Sequence, residues 1–278
     1  MRDYRLGLYE KAMPANRSFA QLLEGARDAG FDFMEISIDE TEARLARLDW
    51  TREARTQLVQ TMRACALPIR TMCLSGHRKY PLGSRDEQTH ARALDIFQKA
   101  VHLADDLGIR IIQLAGYDVY YEQTGPDTQQ LFSENLEKCV RFAAAYGVTL
   151  GFETMETPFM DTVQKALRVV QQVDSPYLGV YPDLGNLNNA ALRYGHDLYA
   201  DIASGAGRLF AMHLKETEPG RYRDMRFGAG CVDFARGVQA ARRAGVRLFV
   251  AECWDDKSPD PQAQIQSVND FLRNVLDA

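Results

Sequence analysis

Four side chains that can bind a metal stand at the ends of four apolar segments in the second half of the chain. They are Glu153, Asp183, His213 and Glu252, and successive members are separated by 30, 30 and 39 residues. A strand–helix–strand unit takes about 30 residues or more, so these are candidate equivalent positions on successive units. Carboxylates and imidazoles are common ligands of divalent cations. If the units close into a barrel, the four groups converge in one mouth and form a cation site.

A repeated pattern predicts the elements that carry these residues. An amphipathic helix ends in glycine at Gly30, Gly108, Gly147 and Gly245, and a short apolar run follows each time. Each glycine suits the left-handed conformation that terminates a helix. The runs that follow are too short for helices and are rich in strand formers. With four further runs of this kind, the sequence predicts strands at 5–9, 33–37, 69–74, 111–114, 149–153, 178–181, 209–214 and 248–252.

Helical patterns lie between the predicted strands. Ser18 is placed to cap the first helix, and longer patterns cover 86–107, 128–146 and 233–244. Eight such units predict an α/β fold, a single (β/α)₈ TIM barrel spanning residues 1–278 as one domain. The alternatives are two smaller domains or an open doubly wound sheet. No G-x-G-x-x-G follows the first strand, which argues against a dinucleotide-binding start.

Composition and charge exclude several classes of protein. The net charge of −5 disfavours a nucleic-acid partner, which requires a basic surface. The sequence has no apolar run long enough to cross a membrane, and the first residues lack the apolar segment of a signal peptide. Five scattered cysteines without a C-x-x-C pair are typical of a reducing compartment. We therefore expect a cytoplasmic protein with no membrane or nucleic-acid partner.

Further polar residues follow the third and sixth to seventh predicted strands. His77 and Arg78 lie in the loop after the third strand, where they form either an anion site or a solvated basic loop. Asn186 lies three residues after the aspartate of the quartet, where its amide can reach a hydroxyl group. Lys215 lies two residues after the histidine, on the same face if the strand continues to that point. All four are candidate substrate-binding residues.

The region of Arg226 and the buried position of Glu35 each allow two interpretations. Arg226, a further candidate substrate-binding residue, precedes Gly228 and Gly230, and these glycines either bring the backbone close to a ligand or simply form turns. Glu35 lies inside the second predicted strand, and a buried carboxylate there needs a partner. Glu35 either orients a metal ligand from behind or faces a helix dipole or an arginine.

The ordered quartet resembles the metal-binding set of the xylose-isomerase-like TIM barrels, which include sugar 3-epimerases. Longer phrases resemble one branch of that superfamily, the L-ribulose-5-phosphate 3-epimerases, also called L-xylulose-5-phosphate 3-epimerases. These phrases include LGLYEKAMP, GFDFMEISIDET, CLSGHRKYPLGS, YPDLGNL and RFGAGCVDF, and the resemblance runs from about Arg5 to the final helix. Epimerases of free ketohexoses carry a histidine where this chain has Asn186, whereas the phosphopentulose branch shares the asparagine.

The resemblance implies an isomerase of carbohydrate metabolism, in pathways such as L-ascorbate catabolism. The implied reaction is metal-dependent 3-epimerisation of a ketopentose 5-phosphate, L-xylulose 5-phosphate or L-ribulose 5-phosphate, through an enediolate. One divalent ion, Mn, Mg, Co or Zn, would be held by Glu153, Asp183, His213 and Glu252. The two glutamates would also exchange protons on opposite faces of C3. A homodimer is implied as well.

The resemblance does not locate the phosphate group of the substrate. One hypothesis places it near Lys11, Ser75, His77 and Arg78, at the ends of the first and third strands. The other uses Lys215 and the region of Gly228, near the common phosphate site of such barrels. The rival functions are another sugar isomerase or a keto-inositol dehydratase of the same superfamily. A DNA-repair endonuclease and a non-catalytic sugar-binding barrel are more distant alternatives.

Overall fold

Eight parallel strands form the centre of the fold in the computed structural model, which describes residues 2–278. Every strand is predominantly buried, as expected of a parallel sheet that is covered by helices. The strands are β1 (Arg5–Tyr9), β2 (Phe33–Ser37), β3 (Ile69–Leu74), β4 (Ile111–Ala115), β5 (Thr149–Glu153), β6 (Leu178–Val180), β7 (Met212–Leu214) and β8 (Leu248–Ala251).

The strands close into a barrel. Successive strands pair in parallel from β1 to β6 and from β7 to β8, and β8 pairs with β1. Two parallel bridges, Val180–Leu209 and Asp183–His213, join the remaining gap between β6 and β7. The predicted α/β TIM barrel is therefore confirmed.

Helices surround the barrel and begin and end at the signals that the sequence carries. Ser18 Oγ accepts a hydrogen bond from Gln21 N at 3.3 Å and caps the first helix. Gly30, Gly108 and Gly245 adopt positive φ angles of 87°, 77° and 103° just after helices. The helices are α1 (Phe19–Asp28), α2 (Glu42–Leu45), α3 (Arg52–Ala64), α4 (Glu87–Leu107), α5 (Pro126–Ala145), α6 (Val163–Val173), α7 (Leu184–Tyr194), α8 (Leu198–Ser204), α9 (Phe234–Arg243) and α10 (Pro261–Asp277).

The strand limits differ from the predicted ones where the barrel closes. The seventh strand was predicted from residue 209 but begins at Met212, because Leu209 meets Val180 in only an isolated bridge. The sixth and eighth strands each end one residue early, and the fourth extends one residue further to Ala115. As a result, Glu252 lies just past β8, while Asp183 lies beyond β6 by either limit.

The interior of the barrel is filled below the mouth. The rings of Phe33 and Tyr181 lie in an interior cluster of buried residues. Gly7, which pairs with Phe33 across β1 and β2, leaves room for this ring: a Cβ there would lie 2.4 Å from it. A larger apolar core fills the space between the sheet and the helices. In the described range, none of the helices combines the length and apolar character needed to cross a membrane.

Candidate metal centre and its cavity

The four candidate metal ligands meet at the carboxyl end of the barrel. Glu153 ends β5, His213 lies in β7, and Asp183 and Glu252 follow β6 and β8. One ligand atom from each residue lies within 4.8 Å of the others, and all four residues are buried. The structure thus brings together residues that are up to 99 positions apart in the chain. This buried cluster can hold a metal ion.

The imidazole of His213 is held between carboxylates. Its Nε2 lies 2.6 Å from Glu35 Oε1, and its Nδ1 lies 3.2 Å from Glu252 Oε2 and 3.8 Å from Glu153 Oε1. Gln113 Nε2 lies 3.1 Å from Nδ1. Burial lowers the pKa of His213, but the charges of Glu35 and Glu252 outweigh it and raise the pKa well above the ordinary value. Glu35 therefore contacts a candidate metal ligand, which agrees with the interpretation that it orients such a ligand from behind.

Asp183 has one oxygen engaged and one free. It caps α7, because its Oδ1 accepts a hydrogen bond from Asn186 N at 2.6 Å. The side chain of Asn186 donates to Thr154 O at 2.8 Å, which braces the turn. Asp183 Oδ2 points toward Lys215 Nζ at 3.3 Å without hydrogen-bond geometry.

The donor set fits a divalent cation. Asp183 Oδ2 and Glu252 Oε2 are buried and accept no hydrogen bond from any residue within 2–278. Burial, reinforced by the charge of Glu252, raises the pKa of Glu153 to about 8. Burial likewise raises the pKa of Asp183 to about 7, although Lys215 opposes it. Carboxylates so crowded and desolvated favour a bound cation, and three of them with one imidazole are a common ligand set.

Lys215 partly neutralises the negative charge of the carboxylates. Its Nζ lies 3.2 Å from Glu252 Oε2 and 3.3 Å from Asp183 Oδ2, and the residue is buried. Burial opposes ionisation of Glu252, but Lys215 and His213 outweigh it and hold the pKa of Glu252 well below its usual value. Lys215 therefore belongs to the floor of the site, beside the quartet.

A cavity of about 250 Å³ opens above the quartet. It is lined by both glutamates of the quartet and by five of the other predicted residues. Its rim includes Asp39 and Glu40, so its charge is mixed. The predicted residues that line it are Lys11, Ser75, Arg78, Asn186 and Lys215.

The structure does not bring His77 to the cavity. A short 3₁₀ turn, Ser75–Arg78, follows β3 and directs this ring toward α4. There His77 Nε2 donates to Ala93 O at 3.2 Å, and the ring stacks on Phe97 with centroids 6.5 Å apart. Burial lowers the pKa of His77 to about 4, so the ring is neutral near pH 7. Its role is packing.

Arg226 also lies outside the cavity. Its side chain is 86% exposed, and its Nη2 lies 3.5 Å from Asp256. The glycines that follow it fold around a buried carboxylate: Gly228 N donates to Glu216 Oε2 at 2.8 Å, and a Cβ at Gly230 would lie 2.4 Å from Glu216 Oε1. The turn interpretation of these glycines therefore agrees with the structure, and the group that the backbone approaches is Glu216.

Several residues of the site were not predicted from the sequence. Gln113 contacts His213, and its polar side chain inside the apolar strand β4 was the one available signal. Trp254 follows β8, and the Cζ of Arg223 lies 5.5 Å from the centre of its indole ring. Such loop residues carry no spacing signal. The missed residues that line the cavity include Tyr9, Glu156, Tyr222, Arg223 and Trp254.

The closed parallel barrel, with its buried cluster of three carboxylates and one imidazole at the carboxyl end, places this protein among the TIM barrels that carry a candidate metal site at that end. The chain belongs to the family described as xylose isomerase-like TIM barrel, whose profile matches residues 23–275. The resemblance seen in the sequence is thus confirmed. Among curated proteins, the chain is 40% identical to L-ribulose-5-phosphate 3-epimerase UlaE of Salmonella paratyphi A over 269 residues, 96% of this chain and 93% of the relative. The enzyme of that name from Escherichia coli O157:H7 is 39% identical over the same shares.

Solved structures show the same fold at lower sequence identity. An L-ribulose 3-epimerase aligns with a TM-score of 0.79 and 20% identity, covering 99% of this chain and 95% of the other. A D-psicose 3-epimerase aligns at 0.80 with 16% identity over 99% and 100% of the two chains. The IOLI protein, whose structure is described with a bound zinc atom, aligns at 0.79 with 17% identity over 98% of each.

Proposed function

We propose that this protein is a divalent-metal-dependent 3-epimerase that interconverts L-ribulose 5-phosphate and L-xylulose 5-phosphate. The observation that carries the proposal is the buried quartet, which lies under a cavity lined by both of its glutamates. The 40% identity to a relative named L-ribulose-5-phosphate 3-epimerase, over 96% of the chain, supports the choice of substrate.

Glu153, Asp183, His213 and Glu252 would hold the cation. Their three carboxylates and one imidazole suit Mn²⁺, Mg²⁺, Co²⁺ or Zn²⁺. When bound, such an ion supplies Lewis-acid stabilisation of the negative charge that develops on the substrate when C3 loses its proton. Asp183 and His213 lie deepest, with no exposed surface, which suits residues that only hold the ion.

Glu153 and Glu252 are placed to exchange the proton at C3. Inversion of a carbon requires one group that accepts the proton on one face and another that donates a proton on the opposite face. The two glutamates come from β5 and β8, on opposite sides of β6 and β7, and both carboxylates reach the cavity. Each acts as the acceptor for one epimer and as the donor for the other.

Lys11, Ser75 and Arg78 form the candidate phosphate site across the cavity. The Cζ of Arg78 lies 4.9 Å from the ring centre of Tyr120, and its Nε is buried without a hydrogen-bond partner in the described chain. An unpaired guanidinium donor beside the cavity suits an anionic oxygen. The alternative based on Lys215 is less suitable, because that ammonium faces two carboxylates of the quartet, whereas Lys11 pairs with a single carboxylate, that of Asp39, at 2.5 Å.

A single experiment tests this function. The metal-loaded protein is incubated with L-xylulose 5-phosphate in D₂O, and the C3 proton is followed by NMR. We expect loss of the C3 proton signal together with the appearance of L-ribulose 5-phosphate. A product in which the carbonyl group has moved between C1 and C2 would indicate an aldose–ketose isomerase instead. A product that has lost water would indicate a dehydratase. Either product without inversion at C3 would refute the proposal.

A further inference from the structure

Glu35 is a fully buried carboxylate directly behind the quartet. It lies in the middle of β2, has no exposed surface, and points toward the barrel axis. Its Oε1 accepts a hydrogen bond from His213 Nε2 at 2.6 Å. Its Oε2 accepts from Thr71 Oγ1 at 2.7 Å and from Tyr181 OH at 2.9 Å. Three donors from three other parts of the barrel thus converge on one carboxylate.

We propose that Glu35 is a positioning residue that sets the tautomer and the orientation of His213. An ionised carboxylate only accepts hydrogen bonds, so the contact at 2.6 Å requires the imidazole proton on Nε2. In the neutral ring, the form that binds a metal, Nδ1 then carries the lone pair, and Gln113 Nε2 lies 3.1 Å from that nitrogen. That nitrogen lies 3.2 Å from Glu252 Oε2 and 3.8 Å from Glu153 Oε1, on the side of the cation site. The inference rests on the proposed function only in that a divalent ion occupies the quartet.

The other two donors keep Glu35 from turning. Thr71 lies on β3, next to Glu35 in the register, and Tyr181 follows β6 on the far side of the barrel. Both bind the oxygen that does not face His213, so rotation of the carboxylate would break two hydrogen bonds at once. Leaving such buried polar groups unpaired is unfavourable, because they lose a hydrogen bond without gaining one to water. The imidazole is therefore held in one direction before a metal arrives.

A buried carboxylate that served only stability would have no reason to face this ring. Glu10, which follows β1, offers the comparison: it is 1% exposed and is held by Arg44, Arg47 and the backbone N–H of Ser37. Those partners are a structural ion pair network away from the quartet. The substitutions Glu10→Gln and Glu35→Gln therefore make a matched pair, in which each neutralises one buried carboxylate and only the second contacts a quartet residue.

The test uses the full-length protein loaded with Zn²⁺, which is diamagnetic, and ¹⁵N-labelled at histidine. Long-range ¹H–¹⁵N NMR assigns the proton of His213 to one ring nitrogen, with the His213→Asn spectrum identifying its signals. We expect the proton on Nε2 in the wild type, strongly deshielded by the hydrogen bond to Glu35. Titration with a competing chelator gives the Zn²⁺ affinity. Loss of such an outer hydrogen-bond partner typically lowers metal affinity by about 10–100-fold.

We expect Glu35→Gln to weaken Zn²⁺ binding by about 10-fold and Glu35→Ala by up to about 100-fold. Glu10→Gln should lower the melting temperature yet leave the affinity unchanged. Wild-type protein with the His213 proton on Nδ1 would overturn the inference. So would Glu35 variants that are folded by circular dichroism and bind Zn²⁺ as tightly as the wild type. Because neither measurement uses turnover, a protein that shows these results but does not epimerise would refute the proposed function alone.

Discussion

Replacing Arg78 with methionine tests where the phosphate of the substrate binds. The guanidinium lines the cavity, and its Cζ lies 4.9 Å from the ring centre of Tyr120 and 5.9 Å from that of Tyr117. Methionine keeps a long apolar side chain over these rings but cannot donate a hydrogen bond. The substitution therefore removes the proposed anion contact with limited change in packing.

The size of the effect follows from the contact that is lost. A hydrogen bond to a charged group contributes about 1.5–3 kcal/mol, which corresponds to about 10–150-fold in kcat/KM for the phosphorylated substrate. Loss of the cation–π contacts with Tyr117 and Tyr120 removes about 1 kcal/mol from folding stability. That second loss affects all substrates equally. The ratio of kcat/KM for L-ribulose 5-phosphate to that for free L-ribulose therefore isolates the phosphate contact.

Arg226→Met is the matched control. This arginine was also a candidate from the sequence, but its side chain is 86% exposed and lies outside the cavity. We expect the substrate ratio to fall by about 10–150-fold in Arg78→Met and to stay unchanged in Arg226→Met. An unchanged ratio in Arg78→Met, at full metal loading, would show that the phosphate binds elsewhere. A fall in both variants would indicate a general effect of surface charge instead.

Four further predictions concern the metal, the two glutamates, His77 and the oligomeric state. Chelator treatment should abolish activity and a divalent ion should restore it, and Asp183→Asn should cut metal content, measured by elemental analysis, while circular dichroism shows an intact fold. Glu153→Gln and Glu252→Gln should each lower epimerisation by about 10²–10⁴-fold; equal wild-type rates of C3 deuterium uptake from both epimers in both variants would contradict the two-base assignment. The pKa of His77 is lowered from 6.5 to about 4 by burial. As the pH falls between these two values, the unfolded chain binds a proton that the folded chain does not, so the free energy of unfolding decreases. Urea denaturation should show about 3 kcal/mol of this loss between pH 7 and 4, absent in His77→Gln. The homodimer implied by the resemblance stays a prediction, and sedimentation velocity at several concentrations checks it.

The barrel and the convergence of the quartet were predictable because both depend on local pattern. Strand-forming runs and helix-ending glycines are set within a few residues; the runs recur eight times in this chain, and a glycine that leads directly into such a run recurs four times. In a closed parallel barrel, all strands end at the same mouth. Residues placed at those ends, such as Glu153 and His213, must therefore meet whatever the loops do. The exact strand limits near Leu209 were less predictable, because pairing at the closing seam depends on the curvature of the whole barrel.

The directions of the side chains around the quartet were decided only by the tertiary structure. His77 and Arg78 are neighbours in the sequence, yet the turn after β3 directs one toward α4 and the other toward the cavity. Glu35 finds its partner His213 178 positions away, through the barrel interior. Arg223 reaches the cavity on a loop whose path depends on the backbone folding around Glu216. Sequence pattern specifies which residues lie at a strand end, whereas packing between distant segments specifies what each loop side chain faces.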